Sequence, residues 1–242
     1  MNIKNATMNT PDAHAIAQQA IGQIAVDLPG ATALFRRLKL DFCCGGQASL
    51  AEACERKGLD PEKVSAELAA LRRDDAAPEA PDAATLIDHI LTRYHAVHRE
   101  QLPELVRMAR RVEAVHAEHP DAPHGLADYL QTMEAELLEH REKEEQRLCP
   151  AIEAGVPGAQ GPIGVMRDEH TGHGLQLERL EALTRQHTPP AGACNTWRAL
   201  YAGTAQLSND LISHIHLENN VLFPRFEAAV NAGGCGCSCS CG

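Results

Sequence analysis

The chain has 242 residues, 44% of them hydrophobic, 23% charged and only 3% aromatic, with thirteen His, nine Cys and a net charge of −11. That length suffices for one full-sized domain plus a small one, each with its own core. The acidic balance argues against nucleic acid and anionic membrane surfaces as partners, since both call for basic patches, and the scarcity of aromatics beside abundant Ala is a helical profile, so the expected fold class is all-α.

The opening stretch, MNIKNATMNTPDAHAIAQQA, has no apolar signal core, and no later run approaches the roughly 18 apolar residues of a membrane span. A cytoplasmic location is the default expectation. In such a reducing compartment the Cys are not a disulfide framework, so their placement matters more than their number. Cys43 and Cys44 are adjacent, Cys54, Cys149 and Cys194 are isolated, and Cys235, Cys237, Cys239 and Cys241 crowd the last eight residues.

Up to residue 75, short helical patterns are punctuated by Pro29-Gly30, Gly45-Gly46 and the stretch from Gly58 to Pro61. They predict a small domain of three or four short helices, with Cys43-Cys44 on an exposed turn. The acidic, Ala- and Pro-rich stretch DDAAPEAPD (74–82) has linker composition, and the linker itself is placed at 76–82. A larger domain is expected over 83–232. It contains four patterns of helical period, roughly 83–118, 124–153, 162–187 and 195–230, separated by Pro- and Gly-bearing connections. Four antiparallel helices are the simplest arrangement, with kinks or breaks expected at Pro103, Pro150 and Pro224. The last ten residues, 233–242, have no apolar face and are expected to be a flexible Cys-rich tail.

One phrase occurs twice. HREKEEQRLCP (140–150) returns 74 residues later as HIHLENNVLFP (214–224), each with His, then Glu four residues on, then Leu, then Pro. The inward stripe of the second helix reads Met133, Leu137, His140, Glu144, Leu148, and that of the fourth reads Leu207, Leu211, His214, Glu218, Leu222. The other two helices repeat at an offset of 75: Leu91, His95, His98, Leu102, Leu105 and Met166, His170, His173, Leu177, Leu180. The larger domain is therefore two related hairpins. Residues four apart share a helix face, close enough for an imidazole and a carboxylate to reach one ion.

A lone His on an apolar stripe is usually a satisfied core residue. Histidines on four converging stripes, joined by two carboxylates and with no Lys or Arg at those inward positions, call for a cationic counter-charge. The ligand set is too large for one tetrahedral zinc and suits two metals with Glu144 and Glu218 bridging and His95, His140, His170 and His214 capping. A nitrogen and oxygen set without thiolate favours iron, then manganese. His98 and His173, one turn along, are expected to orient the ligands rather than bind. Glu142, Glu145 and His216 fall off the stripe, towards solvent or a neighbouring helix.

The segments RYHAVHREQLPEL, EHREKEEQRLCP, VMRDEH and SHIHLENNVLFP resemble the hemerythrin-like four-helix bundle of the repair-of-iron-centres di-iron proteins (YtfE/ScdA type), and ALFRRLKLDFCCGGQASLAEAC resembles the small N-terminal domain of that family. The resemblance implies a non-haem centre of two Fe ions held by the six residues above, and repair of iron-sulfur clusters damaged by nitrosative or oxidative stress, with apo or damaged iron-sulfur proteins as partners. Two other readings stay open beside iron donation: a nitric oxide reductase at the di-iron site, and a sensor or store of O2 or NO. No residue is assigned a catalytic role beyond the metal site. Cys43 and Cys44 are candidates for redox or iron transfer, with a structural pair at a turn as the alternative. The oligomeric state stays open, a homodimer included. Cys149 departs from the family pattern, which has Phe there as Phe223 does.

Overall fold

Short helices in the N-terminal part begin and end where the local chemistry dictates. The computed structural model describes residues 13–71, 81–156 and 160–227, so the tail cysteines Cys235, Cys237, Cys239 and Cys241 and most of the expected linker lie outside the described residues. The chain divides into two compact units, Met1–Ala80 and Pro81–Gly242.

The described part of the first unit holds five helices rather than three or four: α1 (Ala13–Ala17), α2 (Ile21–Asp27), α3 (Ala31–Arg37), α4 (Leu50–Arg56) and α5 (Pro61–Ala69). The excess has a physical cause. Residues 18–20 break the first pattern into α1 and α2, the Ile21 N–H turning to Ala48 O at 2.9 Å, while Pro29-Gly30 separates α2 from α3 as expected, with Gly30 in the left-handed region at φ 88°. A capping box between Ser49 and Glu52 starts α4, and Asp60 followed by Pro61 starts α5. Phe35, Leu50, Cys54 and Leu68 are fully buried at the centre.

In the second unit Asp82 caps α6 (Ala83–Ile90), its carboxylate accepting from the Thr85 N–H at 2.7 Å. The same rod continues through a π-helical segment, π1 (Leu91–His95), into α7 (Ala96–Val115). The second rod is α8 (Leu126–Lys143), π2 (Glu144–Leu148) and α9 (Cys149–Glu153); the third is α10 (Gln160–Leu183); the fourth is α11 (Asn195–Leu217) and π3 (Glu218–Leu222), with 223–227 still helical. Contacts run α7 to α8, α8 to α10, α10 to α11 and α11 back to α7, which closes a four-helix ring. The described residues contain no strand, so the fold is all-α.

Pro103 does not break its helix; α7 runs through it, packed against α8 and α11, and that packing offsets a cost of about 3 kcal/mol for a proline in a helix interior. Pro150 and Pro224 each stand two residues past a π segment. In those segments the hydrogen bonds skip to the fifth residue: Ala96 N–H to Leu91 O, Cys149 N–H to Glu144 O and Phe223 N–H to Glu218 O. The rod widens there, where the expected site residues stand. Among the described residues no helix is long and apolar enough to cross a membrane.

Candidate metal centre

His95 closes π1, while Glu144 and Glu218 open π2 and π3, each one turn beyond His140 and His214 on its own rod. His170 comes from the middle of α10. All six are buried, none more than 2% exposed. They form two groups of four whose donor atoms lie within 4.8 Å of one another: His95, His214, Glu144 and Glu218, and His140, His170, Glu144 and Glu218. Both carboxylates belong to both groups. Each group takes one imidazole from each hairpin, a pairing that the linear repeat did not reveal.

The atoms are disposed to share cations. Glu144 turns Oε2 towards His95 Nε2 at 3.4 Å and Oε1 towards His140 Nε2 at 3.1 Å. Glu218 turns Oε1 towards His214 Nε2 and Oε2 towards His170 Nε2, both at 3.1 Å. Within each group the two Nε2 atoms are 3.1 Å apart. One ion with metal–nitrogen bonds of about 2.0–2.1 Å at a right angle spans such a gap of about 3 Å. Both oxygens of Glu144 and Oε2 of Glu218 are buried without a hydrogen-bond partner, although imidazole nitrogens stand close. A buried unpartnered carboxylate is costly, and a cation at the shared point removes that cost. The cluster suits a metal site.

The protonation states agree. Burial pushes the Glu144 carboxyl up, but His140, His170 and His95 outweigh it and hold the group well below the ordinary carboxylate range. For Glu218, His214 and His170 likewise outweigh both burial and the neighbouring Glu144. Burial pulls His170 down while Glu144 and Glu218 lift it, to about 10; His95 and His140 are also raised by the carboxylates against burial. Five groups so strongly dependent on their neighbours' charge are matched to a cation in their midst.

Residues behind the ligands fix their rings. His95 Nδ1 lies 2.8 Å from Glu145 Oε1, His140 Nδ1 2.7 Å from Glu169 Oε2 and His170 Nδ1 2.9 Å from Asn219 Oδ1. Each carboxylate is itself clamped, Glu145 by Arg99 at 2.6 Å and Glu169 by Lys143 at 2.7 Å. Such bonds set the tautomer and leave Nε2 free to face an ion. Glu169 and Asn219 were not singled out in the sequence; Glu145 was, as an off-stripe residue, and it does meet a neighbouring helix. The available signal is a polar residue next in sequence to a stripe residue, as in Glu144-Glu145, Glu169-His170 and Glu218-Asn219.

His98 and His173 join neither group of four. Both His98 nitrogens are buried without a partner, and its ring is 6.2 Å from that of His214. His173 packs edge-on to His140 at 4.8 Å and hydrogen-bonds Gln176 through Nδ1. Burial holds both neutral, with pKa values lowered to about 3 and about 4. Glu142 is exposed, whereas His216 is buried with Asn220 at 3.0 Å.

One arginine outside the counted stripes also goes inside: Arg141 is 2% exposed, and burial lowers its guanidinium to about 10. Its Nε and Nη1 are buried without a hydrogen-bond partner.

In the first unit Asp41, Cys43 and Cys44 bring a carboxylate and two thiols together, the sulfurs 3.6 Å apart. Asp41 accepts the N–H groups of Cys44 at 2.9 Å and Gly45 at 3.0 Å, folding the turn around itself. A Cβ on Gly45 would stand 3.0 Å from the Asp41 carboxylate, which accounts for the glycine. The turn is less exposed than expected. Cys43 is 7% exposed, and its hydrogen bond to Cys44, then burial, push its thiol well up.

A helical bundle with two His/Glu groups sharing both carboxylates defines a class of cation-binding protein, and residues 86–226 match the hemerythrin HHE cation binding domain. Residues 17–72 match a domain of unknown function (DUF542, ScdA_N). Over 211 residues the chain is 50% identical to the iron-sulfur cluster repair protein YtfE of Yersinia pseudotuberculosis, covering 86% of this chain and 96% of that protein. With the protein of the same name from Escherichia coli O157:H7 it shares 49% over 214 residues, 87% of this chain and 97% of that one. The chain belongs to the YtfE family of hemerythrin-like proteins.

Proposed function

We propose that the chain holds two iron ions, one at His95 and His214 and one at His140 and His170, bridged by Glu144 and Glu218, and that it supplies iron in the repair of damaged iron-sulfur clusters. The observation that carries this reading is the sharing of both glutamates by both imidazole pairs. Four nitrogens and two bridging carboxylates exceed what one tetrahedral zinc uses, and a set without thiolate favours iron over softer ions. The relatives' name, iron-sulfur cluster repair protein, supplies the process, and iron-sulfur proteins are then the partners.

When bound, a pair of ferrous ions offers exchangeable positions for small ligands such as NO or O2 and a stock of transferable iron. The chain's own residues hold the site in order. Glu145, Glu169 and Asn219 keep three imidazoles turned inwards, and the apolar cluster of Ile90, Leu148, Cys149, Met166, Leu222 and Phe223 closes one side against water. Asp41, Cys43 and Cys44 form a second donor set, suited to transient iron or electron exchange.

Metal analysis of protein prepared without oxygen should give about two irons per chain, and the iron-loaded protein should reactivate an apo iron-sulfur enzyme. Glu144→Leu should lose at least half of the iron and most of the reactivation. Unchanged reactivation by that variant would exclude the bundle as donor, and nitrous oxide formed above a metal-free control would favour an NO reductase instead.

A further inference from the structure

Three of the four inward imidazoles are held from behind, and the fourth is not. Acceptors stand 2.7–2.9 Å from Nδ1 of His95, His140 and His170. Nδ1 of His214 is buried with no hydrogen-bond partner. The reason is legible once the two hairpins are superimposed by their repeat. Glu169, which holds His140, precedes His170; the residue that precedes His95 in the other hairpin is Tyr94. Where a carboxylate would stand there is a flat ring, stacked on His214 with centroids 5.4 Å apart and planes 15° apart. Stacking limits the tilt of the imidazole but gives its N–H no acceptor. His98, with its ring 6.2 Å away, makes no hydrogen bond to it either.

An acceptor on Nδ1 makes Nε2 a stronger donor to metal and keeps the ring aimed; losing one costs about 10–100-fold in metal affinity. Both members of the His140–His170 pair have one. Glu169 is tied to Lys143 as well, and Asn219 receives Arg167 on its backbone carbonyl at 3.0 Å. Only one member of the His95–His214 pair is held.

We infer that the two cation sites are unequal: the His95–His214 pair is the one that gives up its ion, and the His140–His170 pair is the one that retains it. The inference rests on the reading that each pair holds one iron. Tyr94 is then a positioning residue, setting lability by withholding an acceptor. Release is ligand exchange: metal–nitrogen and metal–oxygen bonds break, the recipient's donor atoms take the ferrous ion, and no electron is transferred.

The test uses the full chain loaded with ferrous iron without oxygen, its iron counted, and then mixed with an excess of a chromogenic ferrous chelator. Two phases of equal amplitude are expected, with rates about 10–100-fold apart. His214→Ala should abolish the fast phase alone. Tyr94→Glu, which supplies the missing acceptor, should slow the fast phase towards the slow one. Glu169→Ala provides an independent arm, since it should accelerate the slow phase with helical circular dichroism unchanged. Two irons leaving at one rate, a fast phase that survives His214→Ala, or a slow phase indifferent to Glu169→Ala would each overturn the inequality. Fewer than two irons per loaded chain would instead sink the two-iron reading on which it rests.

Discussion

His170 shows how much of the site's chemistry is set at the level of one residue. Without metal its pKa is raised to about 10, so at neutral pH it is an imidazolium, and a metal can bind Nε2 only after that proton leaves. His95 and His140 are raised as well. The sign follows directly: as pH falls, protons compete better and metal affinity drops; as pH rises, affinity climbs. Calorimetric titration of the metal-free protein with ferrous iron near pH 7, in buffers of different ionisation enthalpy, should show at least one proton released per chain. The affinity should weaken between about pH 8 and about pH 6. No proton release would mean that the imidazoles are already neutral. The six inward residues were legible because burial imposes helical period. Glu169 and Asn219 were not, because a residue one step off the stripe points at another helix, and which helix lies there is not written locally. Cys149 is a related case. Phe223 stacks parallel to His170 with centroids 6.1 Å apart, while Cys149, at the matching position of the other copy, is a buried neutral thiol in the apolar cluster, its pKa pushed well up by burial and by Glu218.

At the level of elements, the three π segments are the feature that periodicity could not show. Each carries one residue more than an α-turn, and π2 and π3 open on the glutamates themselves. The expectation of irregularity at Pro150 and Pro224 pointed to the right neighbourhood, since a residue without an N–H is tolerated where the bonding pattern is already interrupted. At Pro103 the helix does not break, because α7 is held by packing on two sides. Deleting the exposed Gln146 from π2 should return that stretch to α geometry while leaving Leu148 and Ile152 on the core face. The expected outcome is an unchanged helical circular dichroism signal with iron content reduced by half or more. Full iron content in the deletion variant would show that the widened turn is not needed to aim Glu144.

On the scale of the whole molecule, all six inward residues and the three that hold them lie in one of the two compact units. A fragment spanning 81–242 should therefore bind as much iron per chain as the full protein, measured by metal analysis after identical loading. Loss of iron in a folded fragment would mean that the first unit contributes to the centre. The first unit's helices are partly legible from their caps, Ser49 with Glu52 and Asp60 with Pro61, and exceed the expected number because residues 18–20 divide the first pattern into α1 and α2 with no Pro or Gly to mark the break.

The sequence by itself determined that this protein is helical, that its larger part is a doubled hairpin and that four histidines and two glutamates face inwards, because burial imposes a period that any reader can count. Only the tertiary structure decided which histidines share an ion, which carboxylate oxygen faces which pair and which imidazole lacks support. Those facts depend on distances between helices, and a residue 50 or 119 positions away along the chain, as Glu145 and His214 are from His95, becomes a neighbour only when the bundle closes.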